Sequence, residues 1–293
     1  MAVRAFSTLP SSLLRDDFAV GLRTLVRDDS ELDRILVEDL ACTARRLSRF
    51  AKFVTIAGLS CLAKVARADV AGARVGIFLG SAFANQQDSN DFTLLATVPH
   101  TISPSPTRFV SCAHNVALAI LTQQCVQVGP SHVIMQAGLS FEAALLAAAI
   151  ALAAKEVDLA LVGGADVTMA ALATLGGEGA TFFALSEANT AGKSLGTIRS
   201  IAITSRCQGP FAPALRSDQK DRCVATNGMS RAAIVPDGAF RFMDYQTGGG
   251  RYPTAVAFAL AKFLHEPSWG HHFLHLSSND KGWMGRIEAE RGG

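Results

Sequence analysis

The sequence predicts an α/β fold in which a mainly parallel sheet is covered by helices. Two observations predict it: short apolar runs ending in glycine recur along the chain, and segments with apolar residues at helical spacing lie between them. Strands that alternate with helices are typical of this class. The chain has 293 residues, of which 49% are hydrophobic and 18% charged. It is therefore long enough to bury a large core and too apolar to be disordered.

The elements of the N-terminal part follow from local patterns. Residues 28–72 are predicted to be helical, because acidic residues favour a helix start and apolar residues then recur at helical spacing. The apolar runs at 75–80 and 131–136 are predicted strands. Helices are predicted at 113–127 and at 139–154, and the nearly continuous apolar sequence of the second indicates a buried, central position.

The C-terminal part continues this alternation less regularly. One helix is predicted at 252–264, and strands are predicted at 157–162, 181–185, 195–205, 271–277 and 283–290. Residues 206–250 are polar, contain glycine and proline, and show no clear period. A connection of this length without structure is unusual in a compact domain, so the segment is predicted to be functional, to cover a site or to be poorly ordered.

Composition and charge exclude several classes of protein. The net charge of +2 is too balanced for a dedicated nucleic-acid binder. No apolar run reaches the ~20 residues of a membrane span, and the first residues lack the apolar core of a signal peptide. The six cysteines form no CxxC pair and are predicted to be reduced thiols. A cytoplasmic protein without a membrane span is expected.

A cationic segment stands at residues 45–53, where Arg45, Arg46, Arg49 and Lys52 share a predicted helix with two phenylalanines. Two interpretations remain open. The segment is either a solvated basic face over an apolar stripe or a docking patch for an acidic partner.

The same segment resembles a helix of the β-ketoacyl synthases, with the pattern Arg-Arg-x-x-Arg-Phe-Ala-x-aromatic. Other motifs similar to those of this family follow in the family's order, and the matches together span residues 45–185. They are the strand at 75–80, the approach to the nucleophile strand at 105–115 and 129–131, the Gly-Gly-Ala-Asp strand at 159–166, and Gly-Glu-Gly-Ala at 177–180. The resemblance implies a thiolase-like layered α/β/α/β/α sandwich, with an N-terminal half at 1–168 and a shortened C-terminal half at 169–293.

The nucleophile of the family is missing from this sequence. An active ketosynthase carries a cysteine at a strand-to-helix turn, where helix N–H groups lower its pKa and stabilise the oxyanion. Counting without gaps, forward from the Gly-Pro-Ser at 129–131 and backward from 157–158, places that cysteine on Gly138. A shift of one or two residues offers Gln136 or Ser140. The Gln-Ala-Gly at 136–138 also resembles that of chain-length factors, although gap-free counting places their glutamine elsewhere.

The two histidine motifs of active ketosynthases are missing as well. No His-Gly-Thr occurs, and the counterpart of the second motif, at 249–253, has Arg251 where histidine would stand. No catalytic residue is therefore predicted, since Gly138 occupies the nucleophile position.

Three rival sites are disfavoured by their residues. Cys112 and His114 are two apart and do not face each other on a helix. His271, His272 and His275 lack a neighbouring carboxylate or cysteine that would complete a metal site. The three glycines at 248–250 lack the Lys-Ser/Thr of a phosphate-binding loop. Neither a metal nor a cofactor is predicted.

The resemblance implies a chain-length factor, similar to the compact ones paired with a ketosynthase in aryl-polyene and related type II polyketide pathways. An active ketosynthase would be its partner in a heterodimer, and both would act on chains held by acyl carrier protein, which the cationic patch would dock. The resemblance implies a dimer strand with Ser131, Val133, Ile134 and Met135, and tunnel or interface residues Phe109, Val110, Cys112, Asn115, Gln136 and Gly138. The alternatives are a malonyl-carrier-protein decarboxylase or acyltransferase of the same fold, and a scaffold protein without a biosynthetic role.

Overall fold

The computed structural model describes most of the chain. The described residues are 1–9, 29–42, 47–65, 70–97, 105–123, 125, 127–167, 177–187, 194–205, 222–227, 241–245, 253–279 and 281–292. The helices are α1 (Asp29–Arg34, continued by a π-helical turn at Ile35–Asp39), α2 (Arg49–Lys64), α3 (Gln86–Thr97), α4 (Pro106–Ser111), α5 (Val116–Thr122), α6 (Ser140–Ala153) and α7 (Val256–His265). The strands are β1 (Ala2–Leu9), β2 (Arg74–Gly80), β3 (Gln127–Ile134), β4 (Leu159–Asp166), β5 (Gly179–Ser186), β6 (Gly196–Ser205), β7 (Arg222–Asn227), β8 (Arg241–Met243), β9 (His272–Ser278) and β10 (Trp283–Arg291).

The described strands form one ten-stranded sheet that repeats the same strand order twice. Its order is β3-β2-β4-β5-β1-β6-β10-β9-β7-β8. From the centre outward, β1, β5, β4, β2 and β3 correspond to β6, β10, β9, β7 and β8. The pairing also repeats, because β5 and β10 are antiparallel to both neighbours whereas β4-β2-β3 and β9-β7-β8 are parallel. The sheet is thus mixed, which corrects the prediction of a mainly parallel one.

Two central helices lie between the two sets of strands. α6 follows β3 and α7 follows β8, so they occupy equivalent places in the repeat. One core cluster joins both helices to strands of both sets, while a second cluster joins α2 and α5 to the opposite face of the first set. Because neighbouring side chains on a strand face opposite ways, Phe182 of β5 packs in the second cluster and Phe183 in the first. The apolar sequence of α6 is explained by these contacts.

Strands β1 to β5 form the first set and strands β6 to β10 form the second, so the chain passes from one set to the other between β5 and β6. β5 therefore pairs within the first set, although the predicted division after residue 168 assigns it to the second half. The division into halves 1–168 and 169–293 stays a prediction.

The long segment at 206–250 contains two strands that its sequence does not predict. β7 pairs with β9 on one side and with β8 on the other. The prediction of a connection without structure is wrong for these residues. Only Cys223, Val224 and Ala225 form an apolar run in β7, which is too short to stand out beside polar neighbours.

Candidate functional site

The turn between β3 and α6 holds the position at which the family's nucleophile was predicted. It consists of a 3-10 turn, Ala137–Leu139, from which α6 continues directly. The Ser140 hydroxyl accepts a hydrogen bond from the Gln136 amide at 2.8 Å and donates to the Ala137 carbonyl at 2.7 Å. Ala137 has φ 49°, a left-handed conformation that non-glycine residues rarely adopt. The serine therefore stabilises a strained turn at the N-terminus of α6.

Glycine at the end of β2 allows this turn to approach the sheet. A Cβ on Gly80 would collide with the backbone carbonyl of Ser140 and lie 2.7 Å from the Cα of Phe141. Only a residue without a side chain lets the first turn of α6 rest on the end of β2.

Gly138 itself faces open space. A Cβ added there would meet no heavy atom within 4 Å, and the residue is partly exposed. Crowding therefore does not require glycine at this position. The first N–H groups of a helix lack intrahelical partners, so a thiolate at residue 138 would face the positive end of the α6 dipole. The turn has space for a side chain at residue 138, but Gly138 supplies no nucleophilic atom.

A chain of polar side chains lies buried behind this turn. Glu142 of α6 accepts a hydrogen bond from the Ser277 hydroxyl of β9 at 2.5 Å, and its Oε1 lies 3.7 Å from Nδ1 of His275. Nε2 of His275 is 3.2 Å from the Tyr245 hydroxyl. All four residues are buried. Burial raises the pKa of Glu142 to about 7, although the hydrogen bond from Ser277 acts to lower it. Burial lowers the pKa of His275 to about 3.

A second buried carboxyl stands at the end of β4. Asp166 accepts five hydrogen bonds: from the Ser81 hydroxyl, the Ala82 and Phe83 amides, and the amide and hydroxyl of Thr254. Burial raises the pKa of Asp166, and these hydrogen bonds oppose the rise. The carboxyl ties the ends of β2 and β4 to the turn that precedes α7.

Two of the four predicted docking cations have partners within the protein. Lys52 is only 5% exposed, and its ammonium is 2.9 Å from a carboxylate oxygen of Asp33. Arg49 pairs with the buried Glu178 and, at 2.7 Å, with Asp29. These contacts leave Lys52 poorly placed to meet a partner. Arg45 and Arg46 lie outside the described residues.

The predicted dimer strand lies at one edge of the sheet. β3 pairs only with β2 among the described strands, so its other side is an unpaired edge. Ser131 is exposed, and Val133 and Ile134 are half-buried, each packing against one core cluster. Met135 follows the strand end and is 44% exposed. Val128, near the start of β3, adds another exposed apolar side chain.

The segment before β3 presents an apolar surface. Neither α3 nor α4 has a buried residue. Phe109 of α4 is 65% exposed, and the centroid of its ring lies 5.6 Å from that of Phe92 on α3. Val110 of α4 and Leu94 of α3 are also exposed. The predicted tunnel or interface residues Phe109 and Val110 are therefore accessible in the isolated chain.

The other predicted site residues occupy several environments. The Cys112 thiol contacts the carbonyl oxygens of Asp88 and Arg108 at 3.5 and 3.2 Å. Asn115 stands exposed at the start of α5 without a side-chain capping bond, and Gln136 is partly buried.

Two of the three histidines considered as metal ligands lie in different environments. His275 is buried beside Tyr245, whereas His272 lies on the surface, 3.5 Å from Glu290. In the described part of the chain, no group of three histidine, cysteine or acidic residues is arranged to hold a metal ion. The glycines at 248–250 and Arg251 lie outside the described residues. None of the described helices is long and apolar enough to cross a membrane.

A comparison with protein-family models decides the family. The model for the β-ketoacyl synthase N-terminal domain matches residues 8–191, more than half of the chain. The chain belongs to the β-ketoacyl synthase family. The resemblance predicted from the motifs is thereby confirmed, and the match includes β3, the turn at Gly138 and α6. A search of curated proteins finds no match to this ketosynthase-family sequence.

Solved structures confirm the thiolase-like ketosynthase fold of this family member. A chain of the ishigamide ketosynthase/chain length factor superposes with a TM-score of 0.76 at 16% identity, over 100% of this chain and 99% of that one. A chain of AntDE:AntF, a type II PKS acyl-carrier protein in complex with its ketosynthase, gives 0.70 at 14% identity over 99% of both. A chain of the ketosynthase ApeO in complex with its chain length factor ApeC, from Xenorhabdus doucetiae, gives 0.54 at 14% identity over 99% and 100%. The layered sandwich is therefore the observed fold.

The two buried polar clusters of the ketosynthase-family chain have no recognisable motif in the sequence. Glu142 is visible as the one charged residue in the apolar run 139–154, and that was the available signal. Its partner Ser277 is 135 residues away in the sequence, and Thr254 is 88 residues from Asp166. No local pattern connects residues so far apart.

Proposed function

We propose that this protein is a non-catalytic ketosynthase homologue that acts as a chain-length factor. It pairs with an active ketosynthase and completes the acyl tunnel during chain elongation on acyl carrier protein. The partner supplies the cysteine and histidines for decarboxylative condensation. The observation that carries the proposal is the turn at the N-terminus of α6, where counting from the motifs aligns the family's nucleophile with Gly138, a residue without a side chain.

The chemistry of that turn supports a non-catalytic role. A ketosynthase must form a thioester with the growing chain, and glycine has no atom that can do so. Ser140, the nearest hydroxyl in the turn, is fully buried and is engaged by Gln136 and Ala137. Removing a reacting nucleophile typically costs many orders of magnitude in rate. The turn is thus suited to shape a site without performing its reaction.

The exposed surfaces support a partner. An unpaired strand edge is an aggregation hazard that proteins usually cover. Here the edge is β3, and Met135 and Val128 along it are exposed, as are Phe109 and Val110 on α4. Obligate interfaces are more hydrophobic than other surfaces and bury more than ~2,000 Å². A ketosynthase presenting its own edge strand would cover these residues.

Co-expression with candidate ketosynthases tests the proposal. We expect one ketosynthase to co-purify as a stable complex and the pair to extend chains on acyl carrier protein, with products identified by mass spectrometry. The isolated chain should neither condense nor decarboxylate malonyl-carrier protein. Turnover by the isolated chain comparable to that of a ketosynthase, or acylation of Cys112, would contradict the proposal and favour the decarboxylase or acyltransferase alternative. A stable monomer that binds neither a ketosynthase nor carrier protein would favour the scaffold alternative.

A further inference from the structure

The buried polar chain Ser277–Glu142–His275–Tyr245 has two atoms that its geometry leaves unsatisfied. Neither Oε2 of Glu142 nor Nδ1 of His275 has a hydrogen-bond partner, although both are buried. Buried polar atoms without partners are costly and rare in folded proteins. The same imidazole nitrogen lies 3.7 Å from the other carboxyl oxygen, Oε1. The unsatisfied imidazole nitrogen therefore faces the carboxyl group whose second oxygen, Oε2, is also unsatisfied.

The number of available protons limits how these groups can bond. A neutral imidazole has one N–H donor and one acceptor nitrogen, and its tautomer is set by its partners. A separation of 3.7 Å exceeds a normal N–H···O distance by about half an ångström. Rotation of the carboxyl group, whose terminal torsion is soft, closes a gap of that size. One hydrogen bond between Glu142 and His275 is then possible in either protonation state of the carboxyl.

Two arrangements satisfy the chain. With Glu142 protonated, its O–H donates to Nδ1 of His275, and Nε2–H donates to the Tyr245 oxygen. With Glu142 ionised, Nδ1–H donates to the carboxylate, and the Tyr245 hydroxyl donates to Nε2. The imidazole is neutral in both arrangements and carries one proton. The change between them removes one proton from the carboxyl and moves the ring proton from Nε2 to Nδ1.

We propose that the ionisation of Glu142 sets the tautomer of His275, which makes this buried chain a proton-sensitive connection between α6 and β9. The connection joins the first turn of α6, which directly follows Gly138 and Leu139, to a strand of the other half of the sheet. Leu139 and Glu142 both approach Gly285 of β10, so this junction is closely packed. The proposal is independent of the chain-length-factor role.

The surroundings of the pair favour titration of the carboxyl alone. Among the described residues, the ionisable groups that face Glu142 are His275 from β9 and, beyond it, Tyr245 from the residues after β8. Burial accounts for the shifts of both residues, with hydrogen bonds opposing it at Glu142. The pKa of Glu142 is raised to about 7 while that of His275 falls to about 3. The carboxyl therefore changes state near neutral pH while the imidazole stays uncharged.

Nitrogen NMR of the full chain with ¹⁵N-labelled histidine tests the proposal, because the two ring nitrogens report the tautomer directly. The His275 signals are assigned by their loss in His275→Gln. We expect the Nε2–H form about one unit below pH 7 and the Nδ1–H form about one unit above it. Glu142→Gln has no proton to lose and should show one tautomer across the same range.

Several results would overturn the proposal. They are a doubly protonated His275 ring near neutral pH, the same tautomer on both sides of pH 7, and a tautomer change that persists in Glu142→Gln. If Glu142→Gln fails to fold, Ser277→Ala provides the second test. Loss of the Ser277 hydroxyl removes a hydrogen bond that lowers the pKa of Glu142, so the Nε2–H form of His275 should extend to higher pH. An unchanged or lowered midpoint in Ser277→Ala would contradict the proposed chain of bonds.

Discussion

The Asp166 carboxyl at the end of β4 accepts hydrogen bonds from both the amide and the hydroxyl of Thr254, at 3.1 and 2.8 Å. Thr254 stands in the turn just before α7, which belongs to the second repeat of strands and helix. A side chain of the first repeat thus holds the start of the central helix of the second. On the other side, Ser277 of β9 holds Glu142 near the start of α6. Each central helix is therefore anchored near its N-terminus by a strand of the opposite repeat.

We expect Thr254→Val to lower the free energy of unfolding by about 1–3 kcal/mol, because it leaves a fully buried carboxyl oxygen with one donor fewer. Thr254→Ser keeps the hydroxyl and should cost about 1 kcal/mol or less. Urea unfolding of the two variants measures the difference. Equal losses in both would show that the threonine methyl group, not the hydrogen bond, accounts for the effect.

The Glu142–His275 pair predicts opposing effects of pH on stability. The pKa of Glu142 rises from 4.5 to about 7 on folding, so its contribution is complete below pH 4.5 and is lost as the pH rises to about 7. The pKa of His275 falls from 6.5 to about 3, so its contribution is complete above pH 6.5 and is lost as the pH falls to about 3. Between pH 4.5 and 6.5 the two slopes offset each other.

Single variants should separate these slopes. In Glu142→Gln, the free energy of unfolding should rise with pH between 4.5 and 6.5, and in His275→Gln it should fall over the same range. His271→Gln replaces an exposed histidine of the same segment and is the matched control, with the pH slope of the native protein expected. Denaturant unfolding at a series of pH values gives the three curves. Parallel profiles in all variants would show that neither buried group titrates as described.

The open space at Gly138 predicts that a thiol can be introduced there and will be reactive. In Gly138→Cys, the N-terminal end of α6 should lower the thiol pKa, and each unit of lowering raises the thiolate fraction near neutral pH about tenfold. Ile150→Cys places an exposed thiol near the C-terminal end of the same helix, where the dipole acts in the opposite sense. Alkylation rates of the two variants, measured by mass spectrometry, make the comparison. A slower reaction at residue 138 would contradict the predicted environment.

Much of the fold was predictable because it depends on local pattern, and the site was not because it depends on distant contacts. α6 runs over Ser140–Ala153, within the predicted 139–154, since its apolar sequence is continuous. β4 extends to Asp166, as the family resemblance implied, whereas the apolar pattern alone predicted an end at residue 162. Its two glycines pack under neighbouring side chains and do not end the strand. The antiparallel centre of the sheet arises from pairing between β1, β5, β6 and β10, which no local periodicity encodes.

The unpaired edge of β3 is where we expect the proposed ketosynthase partner to bind. Val128→Asp adds a charge to an exposed position of this edge, 49% exposed in the isolated chain, so folding should be retained while complex formation is lost. Val37→Asp is the matched control, since Val37 is also an exposed valine but lies on the π-helical turn after α1. Co-purification with the ketosynthase and circular dichroism of each variant give the readouts. Full recovery of the complex with Val128→Asp would place the interface elsewhere.

The exposed ring of Phe109 predicts an effect on product length. A growing acyl chain gains ~0.8 kcal/mol for each methylene that it buries in the tunnel, until a side chain blocks its path. A bulky side chain from the proposed non-catalytic subunit can form this steric block. We expect Phe109→Ala to lengthen the products of the reconstituted pair and Phe109→Trp to shorten them, with the complex intact. Leu94→Ala, which truncates another exposed apolar residue on the adjacent α3, is the control and should leave product length unchanged. The masses of the products give the distribution of chain lengths. An unchanged distribution in both Phe109 variants, at equal complex stability, would show that this ring does not limit the length of the product.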